Sequence, residues 1–340
     1  MQKIKLVNYL VILFLIIGCS TTNRSTQNNT TQAQKDGIKI NAYFSQTTCK
    51  YSKGGGIDGL LITDIKQAKK QIDIAIYALS NDRIRDALIF AHKKGVDIRI
   101  VTDDYELFKD DMKVLKNNGI FVISDEDTRA LMHDKFMIID QKVVWTGSCN
   151  YSYYAFYCNN ENLVKITSSK IAKVYEDEFE ELLQKKYKEK AYISDVLEIY
   201  FSPEDDFEQR LLSLIDNAKE SIDFLAFAFT NQAIADALLQ KQAQGIIVKG
   251  VFDKKQNSYQ KSSKYDYLLK EGLTVKLDGN KFTLHDKVFI IDHHIVVTGS
   301  YNFTIKANDT NNENSIVVNN IKFAQRYEEE FQKIYATATN

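Results

Sequence analysis

Apolar and polar positions follow two different periods along most of this chain. Residues 72–78 form an apolar run that is typical of a buried strand, and residues 81–94 continue with helical spacing behind Asn81, a favourable helix N-cap. Residues 96–101 then predict a second strand, and residues 110–117 predict a second helix. Strands that alternate with helices in this way indicate a layered α/β fold.

The same succession of elements occurs twice. Residues 71–81 align with residues 221–231 at an offset of 150, and a helical stretch near residues 169–185 ends the first copy. We therefore predict one domain at residues 38–190 and a second at residues 191–340, each of a length that is usual for one domain.

Each copy contains a predicted β-hairpin with reactive side chains. Residues 135–139 and 287–291 are apolar runs that begin with Lys, and a polar turn and a return strand follow each of them. Residues two apart in a strand point to the same face, so the motif His and Lys project together. A glycine at the end of the return strand allows close backbone approach. The matched positions, 152 residues apart, are His133, Lys135, Asp140, Gly147, Ser148 and Asn150, and then His285, Lys287, Asp292, Gly299, Ser300 and Asn302. We predict that the His, Lys and Asp of each copy are catalytic.

The residue types in this repeated motif suit phosphodiester chemistry. Lys binds phosphate as a point charge, and Ser and Asn can donate neutral hydrogen bonds to its oxygens. One imidazole can attack phosphorus while the other protonates the leaving oxygen, which forms a phosphohistidine that water then hydrolyses. Because no clustered carboxylates indicate a two-metal site, we expect chemistry that needs neither a metal nor another cofactor.

Two Asn-Glu-Asn triplets add a carboxylate to each copy. Glu161 and Glu313 each lie 28 residues after a motif His. A carboxylate held against the far imidazole nitrogen fixes the tautomer of the ring. We therefore predict that Glu161 and Glu313 orient the two catalytic imidazoles.

On these residues the chain resembles the phospholipase D superfamily, whose defining motif is His-x-Lys-x4-Asp with a trailing Gly-Ser-x-Asn. The resemblance covers about residues 38–334. It implies two tandem α/β domains, each a mixed sheet flanked by helices, related by a pseudo-twofold axis with one active site at their interface. It also implies that His133 is the nucleophile and His285 the acid. Because both motif copies lie in one chain, we expect a monomer.

Members of this superfamily cleave phospholipid head groups, hydrolyse or join cardiolipin-type lipids, or cut nucleic acids. The second half, over residues 199–304, is particularly similar to the compact bacterial nucleases of the superfamily. A formal net charge of −1 at pH 7 is not the basic footprint of strong non-specific nucleic-acid binding. We expect phospholipid hydrolysis, with a nuclease as the alternative and phosphatidyl transfer or an inactive binding module after it. The lysines that could form either a local basic groove or a solvated loop are Lys254, Lys255, Lys261 and Lys264.

The first 37 residues differ in composition from the rest of the chain. Lys3 and Lys5 precede the mostly apolar residues 6–17, which are too few to span a bilayer. The order of charged region, apolar region and Gly18-Cys19 resembles a bacterial lipoprotein signal peptide, with residues 1–18 removed and Cys19 lipidated. Residues 19–37 predict a polar tether, so we expect an exported enzyme held to a membrane of the cell envelope through Cys19.

Three further cysteines, Cys49, Cys149 and Cys158, allow at most one internal disulfide. In an oxidising compartment we expect Cys149 to pair with Cys158, which would brace the rim of the site. The glycines of residues 53–56 could cradle a phosphate or form a flexible turn.

Overall fold

The alternation of strands and helices predicted from the sequence is present in both halves of the chain. The computed structural model describes residues 33–35, 37–50 and 56–339. The strands of the first half are β1 (Ala33–Lys35), β2 (Ile38–Phe44), β3 (Gln71–Ile76), β4 (Asp97–Thr102), β5 (Phe121–Ser124), β6 (Lys135–Ile139), β7 (Val143–Gly147) and β8 (Asn162–Thr167). They form one mixed sheet in the order β1-β2-β8-β7-β6-β3-β4-β5.

The second half repeats this sheet with the same topology. Its strands are β9 (Tyr192–Ile193), β10 (Leu197–Ser202), β11 (Ser221–Ala226), β12 (Ile247–Phe252), β13 (Thr274–Leu277), β14 (Lys287–Ile291), β15 (Ile295–Gly299) and β16 (Glu313–Asn319). Their order, β13-β12-β11-β14-β15-β16-β10-β9, is that of the first sheet read in reverse. In the first sheet β3, β4 and β5 are parallel, and the first strand of the catalytic hairpin, β6, is antiparallel to β3. In the second sheet β11, β12 and β13 are parallel, and β14 is antiparallel to β11.

Helices lie between the strands in the same succession in both halves. Those of the first half are α1 (Ile57–Gln67), α2 (Asp82–Lys93), α3 (Asp104–Leu107), α4 (Asp110–Asn117), α5 (Tyr153–Tyr157) and α6 (Ser169–Gln184). Those of the second half are α7 (Phe207–Asp216), α8 (Gln232–Ala243), α9 (Lys254–Tyr259), α10 (Tyr265–Lys270), α11 (Ile305–Asp309) and α12 (Ile321–Thr337).

The N-cap predicted at Asn81 is confirmed. Its side-chain oxygen accepts hydrogen bonds from the backbone N–H groups of Arg83 and Ile84, which are among the donors that the first turn of a helix leaves unpaired. Asn231 starts α8 in the same way by accepting from the N–H of Ile234. Matching caps therefore begin matching helices in the two halves.

A hydrophobic core shared by both halves lies between the two sheets. Tyr175 and Phe179 of α6 and Tyr327 and Phe331 of α12 are buried there among residues of both sheets. Each sheet covers its other face with its own helices, α1 and α2 in the first half and α7 and α8 in the second. Residues 31–340 accordingly group as one compact unit, and the domain boundaries given above stay a prediction.

The membrane-related predictions fall largely outside the described residues. The signal peptide, Cys19 and most of the tether lie before residue 33, outside the described residues. The glycines at 54 and 55, considered for a phosphate cradle or a turn, also lie outside them. Across the described ranges, no helix combines the length and the apolar character needed to cross a bilayer.

Candidate active site

The two predicted hairpins are confirmed, and they place the motif residues at equivalent positions. Lys135 and Lys287 are the first residues of β6 and β14, and both are buried. Gly147 ends β7 with φ +136°, and a Cβ atom there would lie 2.5 Å from the carbonyl oxygen of Asn162. Glycine is therefore required by a close backbone approach, as the motif predicted.

Burial makes the protonated, charged form of both lysines less stable. Lys135 Nζ donates to the carbonyl oxygen of His133 at 2.7 Å, and Lys287 Nζ donates to that of His285. Burial lowers the pKa of Lys135 to about 7 and that of Lys287 to about 8. An opposite charge nearby favours the protonated form of an amine. A bound phosphate would therefore raise the pKa of both lysines and favour their charged form.

Each motif histidine is oriented by the glutamate of the other half. His133 Nδ1 lies 2.7 Å from Glu313 Oε2, and His285 Nδ1 lies 2.9 Å and 3.0 Å from the two carboxylate oxygens of Glu161. A carboxylate accepts the hydrogen of Nδ1, which leaves Nε2 of each ring available for chemistry. The orienting role predicted for the two glutamates is supported by this geometry, and the pairs cross from one half to the other.

The protonation of the two imidazoles follows from their burial. Burial lowers the pKa of His133 well below its usual value, and the charges of Lys135 and Lys287 act in the same direction. Burial also lowers the pKa of His285, against the opposing effect of Glu161. In the free enzyme burial favours the neutral form of both rings, while the charge of Glu161 retains part of the proton affinity of His285.

Backbone hydrogen bonds also join each motif histidine to the other half of the chain. The N–H of His133 donates to the carbonyl oxygen of Asn312 at 2.9 Å, and the N–H of His285 donates to that of Asn160 at 2.9 Å. The first Asn of each Asn-Glu-Asn triplet therefore binds the peptide of the histidine that its neighbouring Glu orients. These bonds hold the two halves in register at the reacting centre.

Sequence reasoning missed a second pair of crossed contacts. Asp134 and Asp286 stand between the motif His and Lys, and their carboxylates accept hydrogen bonds from Asn314 Nδ2 at 3.0 Å and Asn162 Nδ2 at 2.6 Å. Burial raises the pKa of each carboxyl to about 7. The signal was present, because the variable position between His and Lys holds Asp in both copies.

Aromatic rings that cover the site were also missed. The Tyr77 ring lies 5.2 Å from that of His133, and Lys135 Nζ lies 5.5 Å from the Tyr77 ring centroid. Phe227 holds the equivalent position, 4.7 Å from the His285 ring. An aromatic residue at matched positions of the repeated strands is the feature that could have identified them.

The serines and asparagines of the motif have different roles. Ser148 Oγ donates to Glu161 at 2.6 Å, and Ser300 Oγ donates to Glu313 at 2.6 Å, so both hydroxyls orient the carboxylates. Asn150 Oδ1 and Asn302 Oδ1 are buried and lack a hydrogen-bond partner among the described residues. An unpaired amide oxygen is an acceptor and so gives no support for binding of phosphate oxygens, and the phosphate-binding role of Asn150 and Asn302 stays a prediction.

A catalytic role for the motif aspartates is not supported. Asp140 and Asp292 follow the far ends of β6 and β14, about 16 Å along the strand from the lysines. Asp140 accepts hydrogen bonds from the N–H groups of residues 69–71, and Asp292 does so from residues 219–221. These carboxylates anchor the turn of each hairpin to the start of the neighbouring strand, and they do not reach the reacting groups.

The predicted disulfide is wrong. Cys158 is bonded to Cys49, 109 residues earlier, and Cys149 is a free, buried thiol. Cys149 stands inside the Gly-Ser-x-Asn segment and packs in the core of the first half. The bond ties the segment after β2 to the end of α5, beside the site.

The lysines considered for a basic groove do not converge on the histidines. Lys254, Lys255 and Lys261 are exposed on and after α9. Lys264 Nζ donates to Gln232 Oε1 at 2.6 Å, away from the motif. Among the described residues, no group of three or more His, Cys, Asp or Glu side chains is placed to hold a metal ion. Metal-independent catalysis stays a prediction.

The chain is similar to several known proteins. Residues 61–183 and 211–335 match the family described as cardiolipin synthase, PLD-like domain. A mitochondrial cardiolipin hydrolase of Chlamydomonas reinhardtii is 31% identical over 136 residues, which are 39% of this chain and 60% of that protein. A phospholipase D of Rickettsia bellii is 37% identical over 127 residues, 37% of this chain and 63% of that protein. The chain thus spans about three fifths of the length of these curated relatives.

Two solved structures are similar as well. The phosphatidylserine synthase of Haemophilus influenzae superposes with a TM-score of 0.64 at 13% identity, over 84% of this chain and 85% of that one, so the two share a fold. Nuc of Salmonella typhimurium, described as a phospholipase D family member, is 35% identical over 42% of this chain and 95% of its own, with a TM-score of 0.40.

Proposed function

Because the chain belongs to the phospholipase D-like family, we propose that it hydrolyses a phospholipid head-group phosphodiester bond through a phosphohistidine intermediate. The observation that carries the proposal is the crossed arrangement of two His–Glu pairs beside two buried lysines. Such a site has two imidazoles for proton and phosphoryl transfer and two cations for a phosphate.

The proposed reaction has two displacements at phosphorus. In the first, Nε2 of His133 forms a bond to phosphorus as the bond to the head-group oxygen breaks. His285, which takes up a proton at Nε2 when the anionic substrate binds, gives that proton to the leaving oxygen. In the second, His285 takes a proton from water, whose oxygen attacks phosphorus and releases His133 and a phosphate monoester lipid. Lys135 and Lys287 stabilise the charge on the phosphoryl oxygens in both steps.

Lipid is the preferred substrate class for two reasons. The net charge of −1 is unlike that of proteins that bind nucleic acid without sequence preference, and the N-terminal sequence predicts a lipid anchor. The relatives named above are a cardiolipin hydrolase and a phospholipase D. Nucleic-acid cleavage is the alternative, since the same chemistry acts on any phosphodiester.

The decisive experiment offers purified full-length protein, in detergent, a set of labelled substrates. Phosphatidylcholine, phosphatidylethanolamine and phosphatidylglycerol vesicles are compared with single- and double-stranded DNA, each with and without excess EDTA. We expect release of head group from at least one lipid, unchanged by EDTA because the lysines neutralise the phosphate. DNA cleavage without lipid hydrolysis would replace the proposed function with a nuclease.

We also propose that Cys19 anchors the enzyme to a membrane of the cell envelope. The support is the position of Cys19 directly after a charged and then apolar N-terminal sequence. Cys19→Ser should leave turnover of a soluble phosphodiester intact and move the protein from the membrane to the soluble fraction. A variant that stays in the membrane fraction would refute the anchor.

A further inference from the structure

Two equivalent grooves lie at the edges of the interface between the halves, and they differ in content. The first is bounded by α6 and the turn at residues 203–206, and the chain between α6 and β9 runs through it. We call it the linker-filled groove. Lys190 of this linker lies 3.0 Å from Glu178 and 2.9 Å from Glu181, and its backbone N–H donates to Asp205. The chain itself therefore occupies an acidic groove.

The second groove is open. It is a cavity of about 890 Å³ bounded by residues 44–50, residues 279–282 and α12. At the offset of 152 that relates the halves, Glu330 takes the place of Glu178, and Lys333 takes the place of Glu181. Within the part of the chain that the structure describes, no segment fills this open groove as the linker fills its counterpart.

The charge of the open groove is opposite to that of the linker-filled groove. Lys50, Lys281, Arg326 and Lys333 line it, with Glu330 as the acidic residue among them. Arg326 and Lys333 are paired with neighbouring glutamates on α12. Lys50 and Lys281 are exposed, and neither has a carboxylate partner among the described residues. Two ammonium groups without a carboxylate partner among the described residues therefore line the open groove, one from each half.

The other lining groups are mostly polar. Gln46, Thr47 and Thr48 provide hydroxyl and amide donors along the walls, whereas the amide of Asn280 already donates to Asn160 Oδ1 and to backbone carbonyl oxygens. Acyl chains require apolar walls, because unpaired polar groups lose hydration when they contact hydrocarbon. Phosphate oxygens, by contrast, accept hydrogen bonds from ammonium, hydroxyl and amide donors alike. The cationic and polar part of the lining therefore suits an anionic phosphate group, and Phe44, Phe282 and Ile334 form its apolar part.

The open groove shares a wall with the active site. Asn160 lines the groove, its carbonyl oxygen accepts the N–H of His285, and the next residue is the orienting Glu161. Phe282, also in the lining, lies three residues before His285, a distance of at most about 10 Å along extended chain. A substrate whose phosphate is attacked at the histidines can therefore extend into the groove.

We propose that the open groove is a second anion subsite, which binds a phosphate of the substrate other than the one that is cleaved. The assignment rests on the proposed lipid function and adds to it, since it makes a lipid with two phosphodiester groups a better substrate than one with a single group. Lys50 and Lys281 are the specificity-determining residues, one from each half.

The test compares two lipids that differ by one phosphatidyl group. Phosphatidylglycerol has one phosphodiester and diphosphatidylglycerol has two, and both are offered to the full-length protein in the same detergent micelles. The variant is Lys50→Ala with Lys281→Ala. The matched control is Arg129→Ala with Lys116→Ala, which removes two exposed cations outside the groove, Arg129 being the equivalent of Lys281 in the first half.

We expect the groove variant to lower kcat/KM for diphosphatidylglycerol about tenfold, mainly through KM, and to change that for phosphatidylglycerol less than about twofold. The control should change neither substrate. An equal loss on both lipids, or no loss on either, would overturn the subsite.

Failure of the lipid function would give a separate result. If the protein cleaves DNA and neither lipid, the proposed function is refuted. The groove variant is then assayed on two nucleic-acid substrates, a dinucleotide with one phosphodiester and a longer oligonucleotide. A loss confined to the longer substrate keeps the subsite, and an equal loss removes it.

Discussion

The two halves of the chain are more alike at the centre of their interface than at its two edges. At the centre, each half has His, Lys, Asp, Ser and Glu side chains in the same hydrogen-bonding pattern. At the edges, one groove is acidic and filled by the linker, while the other is basic and open. The difference fits the proposed function, in which phosphoryl transfer uses both copies of the motif while the rest of the substrate binds at one edge only.

The largest expected effect concerns the two histidines. His133→Asn and His285→Asn should each lower kcat by roughly 10³- to 10⁶-fold, and the double variant should lose little more, because both residues act in one site. A substrate with p-nitrophenol as its leaving group needs little protonation, so the variant of the acid should recover part of its activity on it. We expect recovery for His285→Asn and not for His133→Asn.

The same pair of variants can refute the shared site. If each single variant keeps about half of the activity, the copies form two independent sites. Recovery of His133→Asn in place of His285→Asn would exchange the two roles. Trapping of labelled phosphoenzyme and mapping of the modified histidine checks the assignment directly.

Each glutamate orients the histidine of the other half, so substitution of either glutamate should have a second, smaller effect on kcat. Glu161→Gln and Glu313→Gln should each lower kcat roughly 10²- to 10⁴-fold, because an amide can hold the wrong tautomer of the ring. Since Glu161 orients His285, only Glu161→Gln should recover on the p-nitrophenyl substrate. Recovery of Glu313→Gln instead would show that each glutamate serves the histidine of its own half.

The pH profile tests the equivalence of the two lysines. Burial sets the pKa of Lys135 to about 7 and that of Lys287 to about 8. An amine loses its charge as pH rises through its pKa, so phosphate binding weakens and kcat/KM should fall about tenfold or more above pH 8. Lys287→Arg retains its charge and should move the fall to higher pH. A profile that stays flat from pH 7 to pH 10 would contradict this origin.

Loss of the disulfide, which is present in the first half only, should have the smallest effect on activity. Loss of the Cys49–Cys158 bond should reduce stability by about 2–5 kcal/mol and change kcat little. The measurement is the thermal unfolding midpoint of Cys49→Ala, and Cys149→Ala is the control for loss of a buried thiol. An unchanged midpoint, with or without reductant, would show that the bond does not contribute.

Local features of the fold could be predicted from the sequence. The hairpin strands, the Asn81 cap and the helix at residues 110–117 depend on neighbouring residues, so periodicity and capping patterns were sufficient. The repeated motif also identified the histidines and lysines of the site. The strand predicted at residues 72–78 ends two residues earlier, at Ile76, and the chain bends at residue 77.

Features that depend on distant contacts could not be predicted. Each Glu lies 28 residues after the His of its own half, and that equal spacing does not tell which His it orients. Cys49 is 109 residues from its partner, whereas Cys149 is near Cys158 in sequence but faces the core. Asp140 belongs to the motif, yet its role in anchoring the hairpin turn is visible only from the backbone groups that it binds.

The crossed His–Glu pairs have an evolutionary consequence. A substitution in the Asn-Glu-Asn triplet of one half acts on the histidine of the other, so selection on each copy depends on the state of its sister. After duplication, neither copy could decay or specialise at the centre without loss of the whole enzyme. The two halves accordingly differ most at the periphery of their interface, where one edge is acidic and the other is basic.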